Sequence, residues 1–203
     1  MLTIDFLNSI LALIGERSLT SSSGSLGSLV RAMTEAALLK VVQETRANVF
    51  QQRISMTATF DDYTIAVGSI PTDVIQIYDC FLSDTNAYPK MQRMPKQSFA
   101  NLTWRLGYAI EGNQLFISPH FVRPLTLVLS ALVLPFLAAD GAELTIPTAF
   151  IPAIRHTAAA LMLVSYVDDS NAASIQQNIA DTMITNLRNQ YGKGREVIRW
   201  QVS

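Results

Sequence analysis

Cysteine and histidine, two side chains that often bind transition metals, are almost absent from this 203-residue chain. Cys80 is the only cysteine, so an intramolecular disulfide and a cysteine-based zinc site are both excluded. The two histidines, His120 and His156, do not form a His-x-x-x-His pair on one helix. We therefore expect neither a metal site nor a bound cofactor.

The chain also lacks an excess of positive charge. It has 15 basic and 16 acidic residues, and its formal net charge is −1. Tight binding to duplex DNA usually needs a concentrated basic surface that displaces counterions from the phosphates. The composition therefore argues against a protein that grips DNA, although a nearly neutral surface would let DNA slide past.

The sequence has no segment typical of a signal peptide or a membrane span. Residues 1–14 are apolar, but they contain Asp5 and have no basic flank. Residues 125–139 form the most apolar stretch, which is shorter than the ~20 residues of a spanning helix and contains Pro135. We interpret this stretch as a buried strand and expect a soluble, intracellular protein.

Helical periodicity is present at the start of the chain. Asp5 can cap a first helix, which Gly15 ends. A second helix is predicted from about residue 25 to residue 48, because its apolar residues follow a 3.6-residue period. Its outer side carries two pairs of opposite charges four residues apart, Arg31 with Glu35 and Lys40 with Glu44.

The period changes from 3.6 to 2 in the middle of the chain, which indicates strands. Apolar residues alternate with polar ones between residues 54 and 67, and Asp61-Asp62 interrupts the run, so a hairpin is predicted. A second hairpin is predicted around Gly112. Residues 125–134 are predicted to form the last strand.

Two more helices are predicted after the strands. The third begins near Pro147 or Pro152, and the fourth can be capped by Asp168 or Asp169. Together these elements predict an α+β fold, in which an antiparallel four-helix bundle carries an inserted small antiparallel β domain. The predicted parts are residues 1–50 and 147–191 for the two halves of the bundle, 54–134 for the β domain and 192–203 for a C-terminal docking tail.

No group of residues has the spacing of a catalytic site. The paired carboxylates at 61–62 and 168–169 are explained by a turn and a helix cap, and the serines at 21–23 have no nearby base. We expect a structural or interaction protein rather than an enzyme. The alternative is a small α+β enzyme or ligand-binding domain whose site is assembled from distant residues, namely Tyr63, Tyr78, Arg105 and His120.

The C-terminal tail (residues 192–203) combines basic and apolar side chains. It contains Lys193, Arg195, Arg199 and Trp200. Chain ends are commonly solvated, but Trp and Arg are also enriched among the residues that anchor protein interfaces. The tail is therefore either a solvated end or a docking segment.

Three stretches carry a resemblance to a known family. They are residues 7–16 (LNSILALIGE), residues 108–119 (YAIEGNQLFISP) and residues 146–160 (IPTAFIPAIRHTAAA). In sequence, order and spacing they resemble the first helix, a hairpin and the proline-then-alanine helix of the head-to-tail adaptors of short-tailed bacteriophages. These adaptors are also called tail tubular protein A. The resemblance covers most of the chain.

The resemblance implies a structural protein of the virion. Such adaptors form a ring of identical subunits, typically a dodecamer, beneath the portal protein. They extend the channel through which genomic DNA passes without sequence-specific binding, and they present a surface to the downstream nozzle protein of the tail. The expected location is the virion neck, and the host cytoplasm during assembly.

The resemblance also suggests where the contacts lie. Helices pack side by side around the ring, so the predicted subunit contacts are Arg31, Glu35, Lys40 and Glu44. The C-terminal segment reaches the portal, so the predicted portal contacts are Lys193, Arg195, Arg199 and Trp200. A connector of a long-tailed phage would keep this structural role and change only the neighbouring proteins.

Overall fold

The computed structural model describes residues 1–61, 65–83, 90–101, 106–118 and 125–192. The chain divides into two compact units. The helical unit comprises Met1–Phe50 and the described part of Leu134–Ser203, and the β unit comprises Gln51–Val133. The helical unit is therefore built from two chain segments that flank the β unit in the sequence.

Four α-helices form the helical unit. They are α1 (Thr3–Leu13), α2 (Ser25–Thr45), α3 (Ile151–Met162) and α4 (Ser170–Tyr191). Short 3-10 turns lie at Asn48–Phe50 and Thr148–Phe150, and a π-helical turn at Leu163–Val167 follows α3. The predicted cap of α4 is confirmed, because the Asp169 carboxylate accepts a hydrogen bond from the Ala172 amide at 2.9 Å.

Two helix ends differ from the prediction. Asp5 does not cap α1, which begins at Thr3 without a capping side chain. Backbone carbonyls satisfy its first amides instead, since Thr3 N donates to Ala142 O at 3.0 Å and Ile4 N to Asp140 O at 3.1 Å. α2 ends before the predicted residue 48, because Arg46 adopts a left-handed conformation with φ of 47°.

α3 lies at the centre of the helical unit and packs against α1, α2 and α4. A helix that is apolar on all sides is normally buried, and α3 is close to this limit. Its buried residues are spread around the helix: Ala153, Ile154, Thr157, Ala158, Ala159, Ala160 and Met162. Four of these are alanines, whose small side chains allow other helices to approach closely on several sides.

This packing contradicts the predicted antiparallel four-helix bundle. In such a bundle, helices of similar length surround a shared core, whereas here the 12-residue α3 occupies the centre itself. α1 has 11 residues, while α2 and α4 have 21 and 22. In addition, α2 and α4 run in the same direction and touch directly, although they would be diagonal partners in an up-and-down bundle.

The described residues of the β unit form seven strands. They are β1 (Gln51–Asp61), β2 (Ile65–Ser69), β3 (Val74–Leu82), β4 (Gln92–Arg93), β5 (Gly107–Glu111), β6 (Gln114–Ile117) and β7 (Leu125–Val133). Three of them form a sheet in the order β3-β7-β1, and four form a sheet in the order β2-β6-β5-β4. The two sheets are joined where the end of β1 pairs with β2.

The prediction of a small antiparallel β domain is therefore also wrong. The two sheets make up a substantial part of the chain, and β4 pairs with β5 in parallel. The individual hairpins were predicted correctly. β1 pairs with β2 and β5 with β6, and Gly112 turns the second hairpin with a φ of 60°. The turn residues 62–64 lie outside the described residues.

The β unit has its own hydrophobic core. Tyr108 and Ile117 belong to its main cluster, together with buried residues of β1, β3 and β7. Their chain neighbours Ala109 and Phe116 pack with Phe99 in a second, smaller cluster. This division follows strand geometry, because successive side chains point to opposite faces of a sheet.

One described helical stretch, Thr148–Val167, has the length and apolar composition of a membrane span. Half of its apolar window is buried inside the protein. The stretch includes α3, which contacts the three other helices. A core helix of a folded protein meets the same criteria, and we interpret this stretch as one.

Candidate functional site

Arg31, a predicted subunit contact, is engaged within its own chain. Its Nη2 atom donates to the carbonyl oxygens of Leu137, at 2.8 Å, and Ala138. Its Nη1 atom lies 3.6 Å from the Asp140 carboxylate, and its Nε atom lies 3.8 Å from Glu35. The guanidinium therefore holds residues 137–140, which follow the β unit in the chain, against α2.

Asp140 extends this contact to the loop before α2. Its carboxylate accepts hydrogen bonds from Ser22 N at 2.7 Å and Ser22 Oγ at 2.6 Å. The pKa of Asp140 is lowered from its ordinary value, first by the Ser22 amide, then by the Ser22 hydroxyl and, more weakly, by Arg31 and Ser21. The serine-rich loop thus has a structural role at this point.

Gly27 permits the close approach of this loop to α2. A Cβ atom at residue 27 would lie 2.6 Å from Ser22 Cα and from Ser22 C, which is too close for any side chain. The loop backbone cannot easily move away, because Ser22 is held by Asp140. Arg31, Asp140, Ser22 and Gly27 form one contact, which we call the Arg31 clasp.

The other predicted subunit contacts lie further along α2. Lys40 Nζ lies 3.9 Å from Glu44 on its own helix and 3.6 Å from Asp181 on α4. The Glu44 carbonyl accepts a hydrogen bond from Arg188 Nε at 2.7 Å. These contacts join α2 to α4 and engage Lys40 and Glu44 within the chain. Among the four predicted subunit contacts, Glu35 has the most exposed side chain, at 54%, and is therefore the most available to another subunit.

The predicted portal contacts Lys193, Arg195, Arg199 and Trp200 lie outside the described residues. The last described residue is Gly192. A Cβ atom at this position would lie 2.6 Å from Arg188 O and 2.8 Å from Thr45 O. The C-terminal tail therefore begins beside the end of α2.

Of the four residues of the alternative enzyme site, the structure describes only Tyr78. Tyr63, Arg105 and His120 lie outside the described residues, and Tyr78 is a half-buried residue of β3. Within the described ranges, no group of three His, Cys, Asp or Glu side chains could hold a metal ion. His156 joins α3 to α4, since its Nδ1 atom lies 2.6 Å from Gln176 Oε1.

Cys80 is a packing residue of the β unit. It is fully buried, and its Sγ atom lies 3.6 Å from Met91 Sδ. Burial raises the pKa of the Cys80 thiol to about 12, and the nearby Asp79 carboxylate adds to this effect. The thiol is therefore protonated at neutral pH and unsuited to nucleophilic chemistry.

A recess of about 410 Å³ lies in the β unit between the segment 93–97 and β5. Lys96 lines it, but the Lys96 ammonium lies 3.6 Å from Glu111 and 3.7 Å from the centre of the Phe116 ring. The charge of Lys96 is therefore already balanced by a carboxylate and an aromatic face.

An apolar surface that the sequence did not predict lies between α3 and α4. Four large apolar side chains are exposed there: Val164, Tyr166, Val167 and Ile175. We call them the corner patch. The available signal was the largely apolar run from residue 161 to residue 167, which continues past the end of α3 and is interrupted only by Ser165. Periodicity alone did not show that its last residues are exposed.

No protein-family model and no curated protein sequence matches this chain. The resemblance to phage adaptors therefore stays a prediction from the sequence.

Proposed function

We propose that this protein is a structural head-to-tail adaptor of a short-tailed bacteriophage. The observation that supports the proposal best is the order of the elements. Two helices, a strand-rich middle and two further helices follow one another, in the same order as the three stretches that resemble the adaptor family. The proposal needs only this order and does not require a four-helix bundle.

In this role the protein acts by binding other proteins and not by catalysis. Copies of the chain form a ring, typically a dodecamer, under the portal protein and extend the DNA channel toward the nozzle. The near-neutral composition supports the proposal, because DNA must pass the lumen without being held. No cofactor and no membrane take part, and the protein resides in the virion neck after assembly in the host cytoplasm.

The structure changes how the predicted subunit contacts should be tested. Arg31 holds the clasp together, so a charge reversal at this residue would disturb the fold as well as any ring contact. Glu35 is the better probe, because it is exposed and its only described ion pair, with Arg31, spans 3.8 Å. Glu143→Lys, an equal charge change at an exposed site of the helical unit outside α2, is the matched control.

The decisive experiment combines the purified chain with the portal protein of the same phage and visualises the mixture by negative-stain electron microscopy. We expect an added ring on the portal, and we expect Glu35→Lys to weaken it more than Glu143→Lys. The absence of any portal complex at high protein concentration would overturn the proposal. Equal effects of the two variants would overturn only the assignment of Glu35.

A further inference from the structure

The corner patch contains four of the nine large apolar side chains that are exposed among the described residues. Val164 and Ile175 are 62% and 61% exposed, and Tyr166 and Val167 lie between them in the sequence. The four residues lie within 12 positions of the chain, at the junction of the π-helical turn and α4. Clustered exposed apolar side chains commonly mark a site of protein interaction.

The backbone beneath the patch is fixed by hydrogen bonds. Asp169 N donates to Leu163 O at 3.0 Å, and the Asp169 carboxylate accepts from Ala172 N. Asp168 occupies the left-handed region with φ of 58°, and its side chain is exposed. The patch is therefore a preformed apolar surface with two carboxylates at its edge.

The C-terminal tail has the complementary composition. Its apolar residues are Val197, Ile198, Trp200 and Val202, and its basic residues are Lys193, Arg195 and Arg199. Glu196 is its only acidic residue. Binding of this tail to the corner patch would bury apolar area on both partners. It would also bring the basic residues of the tail close to the carboxylates at the edge of the patch.

Distance argues against the tail of the same chain as the occupant. The 22 residues of α4 rise by ~33 Å, and the tail begins at the end of α4 that is opposite to the corner patch. Trp200 is eight residues beyond Gly192, so it can lie at most ~29 Å from it even in a fully extended chain. Ile175 lies 17 residues before Gly192, ~26 Å along α4, so only a fully extended tail would bring Trp200 to Ile175, and Val164 in the π-helical turn stays out of its reach. The tail of the same chain therefore cannot cover the whole corner patch.

We propose that the C-terminal tail of one copy binds the corner patch of a second copy. Trp200 and its apolar neighbours cover Val164 and Ile175, and the basic residues lie near Asp168 and Asp169. The contact joins two different surfaces, so it is a head-to-tail interface that can close into a ring. The inference stands on this chain alone and does not depend on the role in a phage.

A binding measurement tests the surface. The probe is a fluorescein-labelled synthetic peptide of residues 193–203, and the receptor is the full chain with Trp200→Ala, whose own tail competes less. We expect saturable binding that Ile175→Asp in the receptor weakens by about tenfold or more. Asn186→Asp is the control, because residue 186 is exposed on the same side of α4, ~16 Å further along.

The acidic edge is tested separately. Asp168→Asn removes a charge, and asparagine tolerates the left-handed backbone at this position. We expect this variant to weaken the peptide by roughly threefold, with a smaller dependence on salt than the parent. An unaltered affinity in Ile175→Asp, or no peptide binding at all, would overturn the proposal and leave the portal as the remaining partner for the tail.

A mixing experiment distinguishes a second copy from the same chain. Trp200→Ala has an intact patch, and Ile175→Asp has an intact tail. Sedimentation above the Kd of the peptide should show monomers for each variant alone and a heterodimer for the mixture, because one good interface is restored. Monomers in the mixture, despite peptide binding, would overturn the proposal. Val164→Asp replaces Ile175→Asp if circular dichroism shows that the latter is unfolded.

Discussion

The two units of this protein join distant parts of the chain in different ways. In the β unit, backbone ladders do so, for example the eight residue pairs between β1 and β7. In the helical unit, backbone hydrogen bonds join the start of α1 to residues 140–144, and single side chains make further contacts between separate parts of the chain. Arg31 binds carbonyls of Leu137 and Ala138, and the Asn8 amide both donates to Leu19 O and accepts from Leu19 N.

This difference determines how each unit tolerates substitution. A ladder of backbone hydrogen bonds does not depend on which side chains are present, so the β unit should be sensitive mainly to apolar residues of its core. A contact made by one side chain is lost with that side chain. The helical unit should therefore be sensitive to a few polar residues as well as to its core.

The largest expected effect is that of a buried aromatic residue in the helical unit. Phe150 is fully buried, and its ring centre lies 4.8 Å from that of Phe50 and 5.4 Å from that of Tyr191. We expect Phe150→Ala to reduce the free energy of unfolding by about 3–5 kcal/mol. Phe136 is 79% exposed, so Phe136→Ala should cost less than about 0.5 kcal/mol in the same urea titration. Similar costs for both variants would contradict this placement of the core.

The second test concerns the core of the β unit. Leu129 of β7 is fully buried, and we expect Leu129→Ala to cost about 2–5 kcal/mol. Cys80, paired with Leu129 across β3 and β7, reports on this unit alone, because its buried thiol reacts only after local opening. The rate of Cys80 modification by Ellman's reagent should rise strongly in Leu129→Ala and little in the exposed-site control Thr126→Ala. A thiol that reacts rapidly in the parent protein would be inconsistent with this core.

A smaller effect is expected for the Arg31 clasp. Arg31→Ala leaves two carbonyls and the Asp140 carboxylate without their cationic partner, and hydrogen bonds to charged groups contribute about 1.5–3 kcal/mol. Lys40→Ala removes a cation from the same helix, but its ion pairs are long and partly exposed, so its cost should stay below about 1 kcal/mol. If Arg31→Ala and Lys40→Ala lower the free energy of unfolding equally, the Arg31 clasp stabilises the helical unit less than we infer.

The smallest effect should depend on pH. The pKa of Asp140 is lowered in the folded chain below its ordinary value of 3.8. A carboxylate with a lowered pKa stabilises the fold above its unfolded pKa, and this contribution is lost as the pH falls through the folded pKa. The melting temperature of Asp140→Asn should therefore be lower than that of the parent at about pH 7, and the difference should shrink toward about pH 3. If the difference in melting temperature grew toward acidic pH, the lowered pKa of Asp140 would be contradicted.

The sequence predicted local structure better than packing. Both hairpins and the Asp169 cap depend on neighbouring residues, so turn chemistry and alternation were sufficient to predict them. The central position of α3 depends on which helices approach it. The 3.6-residue period of a helix indicates an apolar face, but it does not say how many neighbours cover the other sides.

The same limit applies to the candidate site. The spacing of Arg31 and Glu35 correctly indicated a pair on one helix, but the dominant partners of Arg31 lie 106 and 107 residues away. The corner patch was also missed, because a turn of π-helix leaves apolar side chains exposed where an α-helical pattern suggests burial. A tertiary contact determines the partners of Arg31, and an irregular turn determines the exposure of the corner patch. Neither of these features has a local sequence signature.

The two-segment origin of the helical unit has a consequence for protein synthesis. α1 and α2 leave the ribosome early, but α3, which covers their apolar faces, is made only after the whole β unit. At typical elongation rates this delay is on the order of 5–20 s. During that time the apolar faces of α1 and α2 lack their contacts with α3, so nascent chains should be clients of ribosome-associated chaperones. Expression at low temperature, which slows aggregation, should raise the soluble yield.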